Sequence, residues 1–262
     1  MPEFIRSNVD GHVASITIDR PDLHNAFNEV VIQELTAAFK DVGVNADVRA
    51  VVLRSEGKSF CAGADINWMK RMVDYSVDEN IADATEMAEM LRAIRECPKP
   101  VIGRVHGACI GGGVGLAAAC DMAVTLTDAV FCLSEVKLGI LPAVISPYVL
   151  EKVGLGQMRR YGLTAERFDG NDAKRIGLVA DAVADVAALD EIVASLCKHC
   201  CNNGPEAVTA CKAVLQDVEA ATDWDAKQRL TVERIAERRV SAEGQDGLKA
   251  FLEKRKPNWI GK

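Results

Sequence analysis

The residues best suited to chemistry lie in one stretch, residues 99–144, where a glycine run is followed by a single acidic residue. Gly111, Gly112 and Gly113 come after an apolar run and open a short apolar helix. The N-terminus of a helix presents unpaired N–H groups and a partial positive charge, and glycine lets a ligand approach the backbone. The run therefore suits an anion or a developing oxyanion. Glu135, which stands alone downstream, fits either a proton-transfer site or a surface position at the end of a strand.

Two interpretations of the glycine run stay open from these residues alone. It is either a backbone site for a ligand or a tight turn packed on a neighbouring element. The spacing fits neither G-x-G-x-x-G nor G-x-x-x-x-G-K-[ST], which argues against phosphate binding through those motifs. A second turn of small residues, at 62–64, also follows a predicted strand and precedes a helical stretch. The chain thus has two turns that expose backbone groups.

Strands that alternate with helices position both turns and indicate an α/β fold. The first two strands form a hairpin turned at residues 10–11, Asn28 caps the first helix, and Ser76 with Glu79 begins a longer helix through a capping box. An unbroken apolar run at 49–54 predicts a strand covered on both faces. Further strands are predicted at 101–106, 121–127, 129–132 and 178–181, short helices at 164–167 and 172–176, and helix from about residue 189 onward.

The composition is that of an ordinary globular protein. The chain has 262 residues, of which 49% are hydrophobic, enough for one large core. Its first residues lack the basic start and apolar stretch of a signal peptide, and no run approaches the roughly 20 apolar residues of a membrane span. A net charge of −7 leaves no basic stripe for nucleic acid. We therefore expect a cytoplasmic protein, with neither membrane nor nucleic acid as a partner.

Nine cysteines, an odd number, indicate reduced thiols rather than a disulfide framework. Several candidate metal ligands cluster late in the chain. They are Cys197, His199, Cys200, Cys201 and Cys211. Their spacing lacks the paired C-x-x-C pattern of zinc sites, and they fall in a segment predicted to be helical, so we expect no metal site there.

Four motifs, in order along the chain, resemble the enoyl-CoA hydratase/isomerase (crotonase) family. They are Arg20-Pro21 with Asn25-Ala26, FCAGADI at 60–66, the segment 106–113, and Ser134-Glu135 with Leu138-Gly139. The likeness covers essentially the whole chain. It implies a crotonase-like spiral of β-β-α units over residues 1–200. A helical C-terminal region, residues 201–262, would then assemble trimers, often paired into hexamers.

The resemblance also implies roles for residues in and after the first turn. The backbone N–H groups of Ala64 and Gly112 match the two donors that hold an acyl-CoA thioester carbonyl, where preformed donors stabilise an enolate by several kcal/mol. Ala62 and Ile66 match positions whose main-chain groups bind the CoA adenine. Trp68, in the following helix, is either pocket wall or core. CoA enters as part of the substrate, so no metal or organic cofactor is implied.

Glu135 matches the family's second catalytic glutamate, and its apolar neighbours in the sequence predict a pKa raised toward neutrality. Gly115, on the substrate side, replaces the first glutamate. Glu135 alone could move a proton between water and C2 in a hydratase, or between C2 and C4 in an isomerase, so both reactions stay open. A third interpretation is a non-catalytic oligomeric CoA-binding protein. It is disfavoured, since a decayed site need not keep Glu135.

Longer stretches resemble the bacterial methylglutaconyl-CoA and carboxygeranoyl-CoA hydratases within this family. They lie at 131–136, 142–147, 163–170 and 240–247. This likeness implies a lyase of leucine or terpene breakdown that hydrates 3-methylglutaconyl-CoA or a similar branched, carboxylated enoyl-CoA. Ala143 stands where a substrate-side glycine is common. Because such substrates carry a second carboxylate, Lys70 and Arg71 are candidate cations near the pocket, although charged residues on a helix usually face water.

Overall fold

The computed structural model describes residues 2–261, which form two β-sheets and the helices that cover them. The strands are β1 (Ile5–Asp10), β2 (Val13–Ile18), β3 (Ala50–Ser55), β4 (Val101–Val105), β5 (Ala108–Ile110), β6 (Met122–Leu126), β7 (Val130–Cys132), β8 (Phe168–Asp169) and β9 (Asp181–Val183). The α-helices are α1 (Glu29–Val44), α2 (Ile66–Met72), α3 (Val77–Arg95), α4 (Gly112–Ala119), α5 (Ser146–Thr164), α6 (Gly170–Arg175), α7 (Val186–Asn202), α8 (Pro205–Ala220), α9 (Trp224–Val240) and α10 (Ala242–Leu252).

The chain moves between the two sheets in a repeated pattern. The larger sheet has the order β1-β2-β3-β4-β6-β9, in which the β1–β2 hairpin is antiparallel and the later pairs are parallel. The smaller sheet has the order β5-β7-β8. Consecutive strands β4 and β5 lie in different sheets and lead into α4, as β6 and β7 lead toward α5. A bridge between Cys61 and Cys109 ties the segment after β3 to the smaller sheet. The β-β-α unit that the resemblance implied is therefore present.

The larger sheet is covered on both faces, as the apolar run at 49–54 predicted. Val51 and Leu53 of β3 belong to the main core, which includes the buried faces of α1, α3 and α4. Ala50 and Val52, which alternate with them, pack in a second cluster with Leu189 and other residues of α7. Successive residues of a strand point to opposite faces, so two helical layers bury one strand completely.

The predicted helix starts are confirmed in detail. The Asn28 side chain accepts a hydrogen bond from the Val31 N–H at 2.9 Å. Ser76 and Glu79 form a reciprocal capping box, in which the Glu79 carboxylate accepts from the Ser76 N–H at 2.7 Å. Each cap satisfies backbone donors that have no partner inside the helix.

Two local predictions beyond residue 160 are wrong. No separate helix spans 164–167, because α5 ends at Thr164 and Ala165 adopts a left-handed backbone (φ 47°), after which β8 begins. The strand predicted at 178–181 lies later, at β9.

Helices α8 to α10 follow the sheets, and α8 is tied to the residue just before β6. Lys212 of α8 donates to Asp121 at 2.7 Å, with 10% of the lysine side chain exposed. None of the helices within residues 2–261 has both the length and the apolar character needed to span a bilayer.

Candidate active site

A cavity of about 250 Å³ lies where the two turns meet. Of the eight residues predicted for the site, those that line it are Ala62, Ala64, Trp68, Gly112, Glu135 and Ala143. Three depressions of about 470 to 490 Å³ lie elsewhere on the described residues, but neither turn contributes to their walls. We therefore locate the chemistry in the smaller cavity.

The glycine run forms one wall through its backbone. Gly111 has a left-handed backbone (φ 52°), and its N–H donates to the Cys132 carbonyl at the end of β7 at 2.8 Å. Helix α4 then begins at Gly112, whose N–H has no hydrogen-bond partner among the described residues. A Cβ at Gly112 would lie 2.5 Å from Phe27 Cε2 and 2.8 Å from Met87 Cε, so only glycine fits. Close packing thus holds a free N–H at the cavity.

The first turn presents a second free donor beside it. The Gly63 carbonyl accepts from the Phe27 N–H at 2.8 Å, and the Asp65 N–H donates to the Phe27 carbonyl at 2.7 Å. Between them, the Ala64 N–H has no partner in the described part of the chain. The turns are tightly apposed, since a Cβ at Gly113 would lie 2.5 Å from the Cys61 carbonyl oxygen. Two unpaired N–H groups at one cavity form the arrangement that stabilises an oxyanion.

Two motif residues that sequence reasoning left without a role brace the first turn. Arg20 pairs with Asp65 at 2.7 Å, and both side chains are nearly buried. The buried Asn25 side chain donates to the carbonyls of Glu56 and Ser59, each at 2.7 Å. Burial opposes ionisation of Asp65. Hydrogen bonds from Arg20 and from the first N–H groups of α2 outweigh it and hold the pKa of this carboxyl below its usual value.

Glu135 stands opposite the glycine run, in a 3-10 turn that spans Glu135–Leu138. A Cβ at Gly111 would lie 3.3 Å from Glu135 Oε1, which places the carboxylate against the helix start. The other oxygen, Oε2, is buried without a hydrogen-bond partner. Burial raises the pKa of Glu135, as the sequence predicted.

Gly115 and Ile66 do not line the cavity, and their binding roles stay predictions. Gly115 is buried inside α4, and a Cβ there would lie 2.3 Å from Ile145 Cγ2. Ile145 therefore fills the space in which a first glutamate would begin. Ile66 opens α2 with 67% of its surface exposed. The Ala62 N–H donates to the His24 carbonyl at 3.0 Å, so the carbonyl oxygen of Ala62 is the main-chain group of that residue left for a ligand.

Trp68 and an acidic residue that the motifs did not indicate form the wall contributed by α2 and α3. Trp68 is both core and pocket wall: it is buried, and its Nε1 donates to Asp83 Oδ1 at 3.0 Å. Asp83 also lines the cavity. A sequence signal for it existed, since Asp83 shares a helical face with Met87 and Met90 at spacings of four and seven residues.

The cations that a carboxylated substrate would require are not in this wall. Lys70 is exposed, and Arg71 pairs with Glu29 at 2.5 and 2.7 Å. Neither lines the cavity, and the described lining residues include no lysine or arginine.

The candidate metal ligands late in the chain lie on α7 and α8. All nine cysteines are free, Cys197 is buried against the sheet and Cys211 is exposed on α8. Among residues 2–261 there is no group of three or more His, Cys, Asp or Glu side chains placed to hold a metal ion.

Comparisons with known proteins agree with this geometry. The profile of the enoyl-CoA hydratase/isomerase family matches residues 8–262. The peroxisomal Δ(3,5)-Δ(2,4)-dienoyl-CoA isomerase of Arabidopsis thaliana is 34% identical over 98% of this chain and 96% of its own. The crystal structure of an enoyl-CoA hydratase from Shewanella pealeana superposes with a TM-score of 0.95 and 40% identity, covering 98% and 96% of the two chains.

An enoyl-CoA hydratase/isomerase from Marinobacter aquaeolei superposes with a TM-score of 0.92 and 31% identity over 98% of each chain. Relatives named as hydratases and relatives named as isomerases therefore both match this chain along nearly its whole length. Together with the two free N–H groups that share a cavity with Glu135, these matches show that the chain belongs to the enoyl-CoA hydratase/isomerase family.

Proposed function

We propose that this chain adds water to the double bond of an α,β-unsaturated CoA thioester, or removes it, with Glu135 as its acid–base group. One observation carries the proposal: the carboxylate of Glu135, with one oxygen unpartnered, shares a small cavity with the free N–H groups of Ala64 and Gly112. Attack of water at C3 moves negative charge to the thioester oxygen, where two preformed donors stabilise it.

Each proton in this reaction has a donor or an acceptor at the site. Ionised Glu135 takes a proton from the attacking water as the bond to C3 forms. The resulting enolate is held by the two N–H groups, and protonated Glu135 then returns the proton to C2. A raised pKa makes the carboxylate a stronger base toward the attacking water, and the acid that it becomes still protonates the far more basic enolate carbon.

Double-bond migration is the second candidate, and the packing at Gly115 favours it. Ile145 occupies the space of a first glutamate, so Glu135 is the one glutamate among the described lining residues, and the other carboxylate, Asp83, is held by Trp68. Moving a proton from C2 to C4, or in reverse, requires only one such group. Product analysis separates the two reactions.

The likeness to methylglutaconyl-CoA hydratases makes 3-methylglutaconyl-CoA a substrate to test. The cavity wall offers no positive side chain for its second carboxylate among the described residues. We therefore propose the reaction on enoyl-CoA substrates in general, with this compound as one member of the test set.

The test is incubation of the purified protein in water enriched with heavy oxygen, separately with 2-butenoyl-CoA, 3-methylglutaconyl-CoA and 3-hexenoyl-CoA. Heavy oxygen at C3 of a product supports hydration, whereas bond migration in 3-hexenoyl-CoA without oxygen uptake supports isomerisation. Glu135→Gln should lower kcat by about 10²- to 10⁴-fold under either reaction. Glu89→Gln, on the exposed side of α3, is the control and should leave kcat unchanged. No turnover of any substrate by the parent protein would refute both candidates.

We also propose that the protein acts in the cytoplasm as a trimer or a pair of trimers, as the family resemblance implies. The C-terminal helices carry large apolar side chains that the single chain leaves exposed, such as Trp224 and Phe251, each 83% exposed. Light scattering should give three or six times the mass of the chain.

A further inference from the structure

Asp83 is an acidic side chain in the cavity wall that the acid–base mechanism does not use. Its Oδ1 accepts a hydrogen bond from Trp68 Nε1, with 3.0 Å between the two atoms, so the side chain is held in place on the wall. Trp68 is 3% exposed and belongs to the core, which makes this support rigid. A fixed carboxylate thus faces the same enclosed space as Glu135.

The other charged groups around Asp83 do not neutralise it. Glu86, on the same helix, and Glu29, on α1, add negative charge, and the nearby cation Arg71 is engaged by Glu29. Burial and these two acids raise the pKa of Asp83, while the hydrogen bond from Trp68 and, more weakly, the charge of Arg71 favour its ionised form. An incoming anion must therefore face a negative charge or force the site to take up a proton, and both weaken binding.

The rest of this wall is apolar and adaptable. Met69, Met72 and Met87 line the cavity beside Trp68. Methionine side chains are flexible and polarizable, so they pack against alkyl groups of different shape. An apolar chain end therefore gains contacts here, whereas a terminal carboxylate loses hydration against the same side chains.

We propose that Asp83 is a specificity-determining residue that excludes acyl chains ending in a carboxylate and restricts the site to uncharged ones. The proposal rests on the proposed function in one respect, namely that the acyl chain of a CoA thioester occupies this cavity. It departs from the substrate that the longer sequence likeness indicated, because the wall supplies a negative charge where that substrate requires a positive one.

The test compares two unreactive probes that have five acyl carbons each. Pentanoyl-CoA ends in a methyl group and glutaryl-CoA in a carboxylate, and calorimetry gives both dissociation constants without turnover. We expect the parent protein to bind pentanoyl-CoA at least about tenfold more tightly, since like charges held together cost at least that much affinity. Asp83→Asn should lower the ratio of the two dissociation constants to about threefold or less, because the amide oxygen still accepts the hydrogen bond from Trp68 but the side chain carries no charge.

Glu89→Gln is the matched control, because it removes the same charge from the exposed side of the same helix. It should leave the ratio unchanged. Equal binding of the two probes by the parent protein would overturn the proposal without any variant, as would an unchanged ratio in Asp83→Asn or an equal narrowing in Glu89→Gln. If the parent protein prefers pentanoyl-CoA as expected and Asp83→Asn reduces that preference, but no enoyl-CoA is turned over, only the proposed function is overturned. Binding of neither probe would overturn both proposals.

Discussion

Replacing Arg20 by methionine is expected to unsettle the turn that holds Ala64, because it leaves Asp65 as a buried charge without its partner. Methionine keeps most of the apolar stem of Arg20 and loses the guanidinium, whose Cζ lies 4.8 Å from the centre of the Phe4 ring. The change removes the 2.7 Å ion pair and the hydrogen bond from Arg20 Nη1 to the Ala26 carbonyl at 3.0 Å. The main perturbation is therefore electrostatic.

The expected cost follows from burial. The side chains of Arg20 and Asp65 are 13% and 6% exposed, so solvent screens the pair weakly. Breaking a buried pair by removing one partner costs about 3–5 kcal/mol of unfolding free energy. Asp65→Asn keeps a helix-capping oxygen for α2. The double variant Arg20→Met with Asp65→Asn has no unpaired charge, and should be more stable than Arg20→Met alone by about 1–3 kcal/mol.

The pH dependence gives an independent check of the cause. In the parent protein the pKa of Asp65 is below its usual value, so the pair stabilises the fold above about pH 4 and is lost as the pH falls through the lowered pKa. In Arg20→Met the burial of Asp65 is no longer offset by the arginine, so the pKa of Asp65 should rise. The ionised carboxylate then destabilises the fold at neutral pH, and the penalty should shrink as the pH falls from 7 toward 5.

Urea denaturation of the four proteins of this cycle, at pH 7 and pH 5, measures these free energies. The control is Arg92→Met, which breaks a 2.8 Å pair with Glu96 whose side chains are 70% and 50% exposed. It should cost less than about 1 kcal/mol. A cost for Arg20→Met no larger than that of the control, or a double variant no more stable than Arg20→Met, would refute the buried-charge argument.

Two further predictions concern the cavity itself. Since burial raises the pKa of Glu135 and its carboxylate must be ionised to accept a proton, kcat/KM should fall as the pH drops through a value above the 4.5 of an ordinary glutamate; a profile flat down to pH 4.5 would contradict this. The same burial makes the ionised carboxylate a cost to the fold above that pKa, so Glu135→Gln should melt no lower than the parent at pH 7. Gly112→Ala should lower both stability, by about 1–3 kcal/mol, and kcat, because its Cβ meets Phe27 and Met87. Gly156→Ala, where a Cβ meets nothing within 4 Å, is the control, and equal effects of the two would refute the packing argument.

Local sequence signals predicted the elements whose causes are local. The capping box at Ser76 and Glu79 and the cap at Asn28 depend on residues three apart, so their outcome needs no knowledge of the tertiary structure. The end of α5 shows the opposite case. Ala165 adopts a positive φ that non-glycine residues rarely take, and it does so where it is completely buried. The surroundings of Ala165 decide its conformation, and a pattern of neighbours along the chain does not contain them.

Some features of the candidate site were likewise predictable from the sequence, and others depend on packing. The motifs located Ala64, Gly112 and Glu135, which the structure brings to one cavity. They also showed that Gly115 stands in place of a glutamate, but not that Ile145, which is 30 residues away, fills the vacated space. A missing side chain can be read from a sequence, whereas the group that replaces its volume depends on how helices pack.

The two carboxylates of the cavity illustrate how burial alone leaves a role undetermined. Burial raises the pKa of both Glu135 and Asp83, so titration does not distinguish them. Their partners do. Glu135 has Oε1 against the helix start at Gly111 and Oε2 buried without a hydrogen-bond partner, which leaves that oxygen available for the proton exchange that we propose. Asp83 has an oxygen that accepts a hydrogen bond from Trp68, which fixes the carboxylate in the cavity wall and fits the specificity role that we propose for it.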